Sequence, residues 1–358
     1  MDERGKISAP GALSEGASIT ADAPLLPDEP LEQLAKRHKL KLSGARPSLR
    51  EYATSLWGRR HFIVGYATAR NVSMYTDAKL GQLWQVLTPL LNAGVYYLIF
   101  GILFEQAKGV EHYPAFLIAG VFVFAFTERS IVTASTVMRV NLQLIRALYF
   151  PRAALPLAYV IVELQQMLVG MVVLVVIMLG SHEYPSQYWL LLVPTIVCQT
   201  LFNVGAALIV ARMGGSLADV SELIPFFLRI TRYFCGVMYV LLTLPAKVPG
   251  WGLQVLSLNP PAVFISLVRV SLMSTYRTDS AGNAPFDLRS CTMFRTHPGG
   301  SHLSRVTHTP VPNTILQANC HAIVTNNDLW IAAVGWGVGF FIVGLIFFWR
   351  AEHVYGRG

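Results

Sequence analysis

The sequence predicts an all-α integral membrane protein with six transmembrane helices, an N-terminal interfacial amphipathic helix and short re-entrant helices between spans five and six. Three observations carry this expectation. Apolar residues make up 53% of the 358 and charged residues only 13%, against about a quarter charged in soluble domains. A water-soluble chain of this length could not hide so much apolar surface in one core. Long stretches carry no ionised side chain, and the Lys and Arg surplus (net charge +8) gathers at alternate ends of those stretches.

Residues 1–45 hold acids and several prolines but no apolar run like that of a signal peptide, and read as a disordered cytoplasmic tail. Residues 46–78 follow. Leu49, Tyr52, Ala53, Leu56, Trp57, Ile63 and Val64 recur at helical spacing, and Arg50, Arg59 and Arg60 add positive charge. This is the pattern of a helix lying in the cytoplasmic interface, with Trp57 at headgroup depth. A plain soluble helix of the tail is the other reading.

Residues 79–349 carry the spans. Lys79 and Glu105 enclose 25 uncharged residues, enough for one crossing at about 20 residues. The second run opens at Pro114, meets Glu128-Arg129 and ends near Val137. The third runs from Ala153 to Gly180 with Glu163 as its one charge, and the fourth from Tyr184 to Ala211. The fifth, Ile224 to Leu244, has Arg229 and Arg232 in its first half; the last is Leu329 to Trp349. Lys and Arg are dense before the first span, between spans two and three, after span four and at residues 350–358. Both termini are therefore expected in the cytoplasm.

Between spans two and three, Met138 to Arg152 is basic, moderately apolar and stopped by Pro151. It suits a short helix with Leu144, Ile145 and Leu148 on one face, for docking a partner or lying on lipid. Residues 245–328 are expected outside. Their first part has two apolar segments broken at Asn259-Pro260-Pro261, each too short to cross, as in a re-entrant pair. Thr275–Asn327 is polar, with four His, Cys291 and Cys320. Their spacing matches no zinc pattern, so a flexible loop with no metal is favoured; the two cysteines could pair in an oxidising space. Cys198 and Cys235 fall in apolar runs as small buried residues.

Chemistry-bearing motifs are missing from the sequence. There is no GxxxxGK[ST] loop, no HExxH pair and no GxSxG elbow. The chain is therefore expected not to be an enzyme and to bind no cofactor itself. Its basic residues are not interleaved with aromatics on a compact domain, so no nucleic acid is expected as partner. Gly335-Trp-Gly-Val-Gly339 spells GxxxG, which close helix packing within the chain explains.

An isolated charge at a span centre costs about 2.5–3.5 kcal/mol, so Glu128, Arg129, Glu163, Arg229 and Arg232 should face protein, water or headgroups. Glu128 and Arg129 are expected near the end of a short span. Arg229 and Arg232, three apart, would make one face of span five basic, for an anionic group such as a pyrophosphate or for snorkelling to headgroups. Aromatics crowd three spans: Tyr96, Tyr97 and Phe100; Phe122 and Phe126; Tyr233 and Tyr239. They suit a tunnel for sugar rings, or ordinary packing.

The order of an interfacial helix, six spans, a cytoplasmic helix after span two and broken helices after span five resembles the permease subunits of ABC-2 type exporters. The segments Tyr75 to Pro89, Asn141 to Pro156 (with Leu144-Ile-Arg, Phe150-Pro-Arg and Leu155-Pro), Asn259-Pro260 and Phe348 to Gly358 carry the likeness. Within that family the chain is similar to polysaccharide exporters of the O-antigen, teichoic acid and galactan type, particularly an actinobacterial branch. The resemblance implies a homodimer in the bacterial cytoplasmic membrane, among its lipids, docked on two copies of a separate cytoplasmic ATPase that holds ATP and Mg. It implies an undecaprenyl- or decaprenyl-linked glycan as substrate, entering at a gate that includes Trp57, Arg59 and Arg60. Asn141, Leu144, Ile145, Arg146, Phe150 and Arg152 would couple to the ATPase. Tyr96, Tyr97, Phe100, Phe122, Phe126, Arg229, Arg232, Tyr233 and Tyr239 would line the route. An ABC-2 exporter of a small hydrophobic molecule or drug is the alternative. The long segment Thr275–Asn327 departs from the family. A secondary transporter should show internal repeats, and none is visible. A membrane glycosyltransferase would need clustered acids, and the loops offer only scattered ones.

Overall fold

The computed structural model describes residues 48–76, 78–103, 112–147, 150–180, 184–239, 250–273 and 326–351. The tail 1–47, Phe104, Leu148, the polar stretch 274–325 with Cys291 and Cys320, and residues 352–358 lie outside the described residues. Every regular element among the described residues is helical.

Helix α1 (Leu49–Gly58) opens on a capping box. The Glu51 amide donates to Ser48 Oγ at 3.3 Å, and the Ser48 amide donates to the Glu51 carboxylate at 3.1 Å. An elbow at Arg59 separates it from α2 (Arg60–Ser73). The single interfacial segment expected from periodicity is thus two helices, and its apolar residues divide. Tyr52 and Ile63 are buried, whereas Leu49, Trp57 and Val64 are exposed.

The first crossing, Gly81–Leu103, joins a 3₁₀ turn, α3 (Trp84–Tyr96) and a π-helical stretch, Tyr97–Leu103. Then come α4 (Tyr113–Val140), the short α5 (Leu142–Ala147), α6 (Ala154–Gly180), α7 (Leu192–Ser216) and α8 (Ala218–Phe234). After them stand α9 (Gly250–Leu258), α10 (Pro260–Leu272) and α11 (Asn326–Ala351). Five helical stretches are long and apolar enough to cross a membrane: Gly81–Leu103, α4, α6, Gln187–Ser216 and the last helix.

The span expected at Ile224–Leu244 has other bounds among the described residues, and its residues 240–244 lie outside them. Helix α8 starts earlier, at Ala218, and stops at Phe234 after 17 residues. That is about 25 Å long, short of a hydrocarbon core of about 30 Å. Gly236, at φ 70°, turns the chain just past the helix end. Hydropathy misplaces the start because Asp219 stands in the first turn, where the positive end of the helix dipole favours an acid.

Helix α4 is the centre of the described body; α3, α6, α7, α8 and α10 all pack on it. Helices α7 and α11 share the most extensive interface. There the backbones nearly touch: a Cβ on Gly205 would fall on the Phe340 carbonyl, and one on Gly344 on the Gly205 carbonyl. Only glycine permits that approach. Gly335 and Gly339 have open space beside them, so the GxxxG pair is not what packs within the chain; Gly337 and Gly344 do that.

The broken pair after α8 is as expected in form. Pro260 and Pro261 occupy the first turn of α10, where a missing N–H is harmless. Residues Pro261 to Phe264 and Leu267 to Arg269 of this helix are buried in protein, the condition under which interrupted backbone is tolerated at membrane depth. Arg269 pins it. Its guanidinium donates to the carbonyls of Gly236 (2.8 Å), Val237 (2.8 Å) and Phe116 (3.1 Å) and lies 3.4 Å from the centre of the Phe116 ring.

Candidate functional site

The site is built around two neighbouring residues of α4. Glu128 and Arg129 are not near the end of a short span: the helix continues to Val140, about three turns further. Adjacent helical residues point about 100° apart. Glu128 accordingly faces α3 and α8, and Arg129 faces α6.

On the first side, Arg232 of α8 forms an ion pair with Glu128. It also donates to the Tyr96 hydroxyl at 2.6 Å and lies 5.3 Å from the centre of the Phe124 ring. Asn92, Tyr96, Phe124, Glu128, Arg129 and Arg232 line a cavity of about 80 Å³ here, room for several waters. Asn92 is exposed on the protomer surface, in the middle of the first crossing.

On the second side, Arg129 donates to Gln166 of α6 at 3.0 Å. Glu163, buried, lines the same small cavity of about 20 Å³. Polar contacts continue toward the N-terminal helices. Gln166 donates to Asn71 at 3.4 Å, Asn71 to Gln165 at 3.2 Å, and Gln165 to Thr68 at 2.9 Å. A chain of amides therefore ties α2 to α6 and, through Arg129, to α4. Glu128 is thus paired with Arg232, while Arg129 is held by Gln166 next to the cavity that Glu163 also lines. Pairing of this kind is what makes charges tolerable at such depth.

Of the residues expected to line a route, Tyr96 and Arg232 meet in the larger cavity. Phe122 and Phe126 are buried between α4 and α6, Phe122 against Gly170, and the small cavity they border has space for a single water. They are core residues, which corrects their expected place on an open path. Tyr97 packs on Tyr113 with ring centres 6.2 Å apart, and Phe100 is half-buried against the core. Tyr239 donates to the Tyr233 carbonyl at 2.7 Å. Arg229 and Tyr233 are exposed on α8. The two arginines of α8 are thus not one basic face: Arg232 is engaged by Glu128 and Arg229 is turned outward.

Trp57, Arg59 and Arg60 stand at the elbow between α1 and α2. The Arg60 guanidinium is 5.6 Å from the Trp57 ring centre and donates to the Trp57 carbonyl at 3.4 Å. In the expected coupling segment, Asn141 caps α4: its amide donates to the Val137 carbonyl (2.8 Å) and to Tyr159 (3.2 Å), and accepts from Tyr66 (3.1 Å). It joins α2, α4 and α6. Leu144 and Ile145 are half-buried against the core, and Phe150 is buried 5.8 Å from the Phe62 ring. Leu144 and Ile145 thus turn inward, whereas the exposed side of α5 is Leu142, Gln143, Arg146 and Ala147; Arg152 is half-buried.

Sequence reasoning missed Asn92, Asn71, Gln166 and Arg269, and misjudged Glu128 and Arg129. One signal was available: a Glu-Arg pair inside an otherwise uncharged run needs partners, and Arg232 and Glu163 were the charges at hand.

A family model described as ABC-2 type transporter matches residues 64–273, well over half of the chain. Two proteins of Klebsiella pneumoniae, each called O-antigen export system permease protein RfbA, are 28% and 27% identical to it. Both alignments span 192 residues, 53% of this chain and 72% of the relative. A protein of the same name from Myxococcus xanthus is 22% identical over 222 residues, 62% of this chain and 81% of its own.

Proposed function

The chain belongs to the ABC-2 type transporter family, and from that premise we propose that it is the permease subunit of a polysaccharide exporter. Its cargo in this reading is a lipid-linked cell-envelope glycan of the O-antigen, teichoic acid or galactan kind. The relatives named for O-antigen export support the cargo class. The observation that carries the reading is the polar cavity at Asn92, Tyr96, Glu128 and Arg232. Asn92 on its lining is exposed, in a first crossing whose apolar window is only 17% buried within the protomer. An exposed Asn beside an ion pair does not belong against hydrocarbon; it belongs against a water-filled path.

In this reading two copies pair with their first crossings and α8 facing each other, and the glycan passes between them. Both termini lie in the cytoplasm and the protein sits in the bacterial cytoplasmic membrane. Two copies of a separate ATPase hold nucleotide and Mg²⁺ and dock on the exposed side of α5. ATP moves the channel because its binding favours one arrangement of these cytoplasmic helices over the other. Motion at α2 reaches mid-membrane through the Thr68, Asn71, Gln165 and Gln166 amides and Arg129.

Co-reconstitution with a cognate ABC ATPase tests the proposal. Lipid-linked glycan is expected to stimulate ATP hydrolysis and to appear on the far side of the vesicle. Stimulation by small hydrophobic compounds, with none by glycan, would give the cargo to the other class.

A further inference from the structure

We propose that the seam between α4 and α7 holds an internal water site formed by Ser130, Gln199 and Asn203. It lies on a third face of α4, apart from Glu128 and Arg129, and does not depend on the cargo. Three features converge, and the first is register. Gln199 of α7 donates to the Val123 carbonyl at 2.8 Å and to the Thr127 hydroxyl at 3.1 Å. Further along, a Cβ on Gly214 would fall on the Ser135 carbonyl. Partners thus advance in the same direction on both helices, so α4 and α7 run parallel. Ser130 is three residues past Thr127 and Asn203 four past Gln199. That spacing keeps both on the facing surfaces, one turn along the seam.

The second feature is unmet polarity. Ser130, Gln199 and Asn203 are fully buried. The Ser130 hydroxyl, the Gln199 side-chain oxygen and both amide atoms of Asn203 have no hydrogen-bond partner among the described residues. One turn earlier a Gln reaches a Thr directly. Here the shorter Asn stands beside a Ser and does not reach it. Buried donors and acceptors of native proteins are paired with protein or with ordered water, and within a bilayer no bulk water serves them.

The third feature is the mix of groups. Gln199 and Asn203 offer acceptors, the Asn203 nitrogen offers donors, and the Ser130 hydroxyl can do either. A cation would leave the Asn203 N–H groups unmet, and an anion would face two carbonyl oxygens. Water donates and accepts at once, and a buried water takes roughly two to four polar partners. Helix α7 is locked to α11 through the backbone contacts at Gly205 and Gly344. A bridging water here ties that pair to the central helix through a contact that can exchange.

The test uses the full-length ¹⁵N-labelled chain in phosphatidylcholine liposomes. Solid-state NMR reads magnetisation transfer from water protons to side-chain amides. The Asn203 resonance is found by sequential assignment and checked by its loss in Asn203→Leu. That amide is expected to show a cross peak to water. The backbone amide of Ala211, buried about two turns further on, is expected to show none. Ser130→Ala removes one partner and should make the bound water exchange at least about threefold faster, the scale of one hydrogen bond. Replacing sodium and potassium with N-methylglucamine should leave the cross peak in place. No cross peak at Asn203 in the wild type, an equal one at Ala211 or an unchanged exchange rate in Ser130→Ala would each overturn the proposal. Loss of the peak along with sodium and potassium would overturn it too and give the seam to a cation. The wild-type readings decide the matter even where a variant fails to fold.

Discussion

The first crossing and α4 have the same mean hydropathy over their most apolar windows, yet 17% of one window and 67% of the other is buried within the protomer. Hydropathy reports only that each helix leaves water. It is blind to whether lipid, protein or a second copy receives it. The difference separates two jobs. Helix α4 is the post around which the others pack, and it carries the charges inside it. The first crossing is a wall: Leu91, Val95, Leu98 and Ile102 face outward, and Asn92 and Tyr96 line its polar edge.

The sharpest way to test that division is to cut into the post. Phe116→Ala removes a buried ring from α4 and the surface beneath Arg269, and is expected to cost about 3–5 kcal/mol. The loss should be read as a fall in the detergent-unfolding midpoint, with α10 losing hydrogen-exchange protection first. A midpoint near the wild-type value would mean that α4 is not the centre of stability.

An intermediate effect is expected where α2 is tied to the post. Asn71→Leu removes its hydrogen bonds to Gln165 and Gln166 and leaves their amides short of partners, a cost of about 1–3 kcal/mol. Hydrogen exchange should rise in α2 while α4 stays protected. Equal protection across α2 would show that the amide chain carries no load. The smallest effect belongs to the wall. Leu98→Ala should change protomer stability by less than about 0.5 kcal/mol, while the dimer fraction in native mass spectrometry falls if a second copy covers that face. A large loss of protomer stability would erase the contrast between the two helices.

Much of the fold was legible in the sequence because the bilayer imposes a coarse rule. The runs Lys79–Glu105, Ala153–Gly180 and Leu329–Trp349 correspond closely to helices, since any ionised residue inside them would be costly. The α8 boundary was not legible, because Asp219 and Glu222 belong to the helix and Gly236 ends it before the apolar run is over. The site was only partly legible. Tyr96 and Arg232 were identifiable as a ring and a charge in apolar surroundings, but Phe122 and Phe126 share the same chemistry and are core.

The linear chain determined its solvent, its helical class and the rough length of most crossings, because each of these depends on residues that are neighbours along one helix. Tertiary structure alone decided that Glu128 meets Arg232 across 104 positions and that Arg269 donates to the carbonyls of Phe116, Gly236 and Val237. It also decided which of two equally apolar helices stands in the middle. Those outcomes depend on which faces of different helices meet, and no local pattern encodes the facing partner.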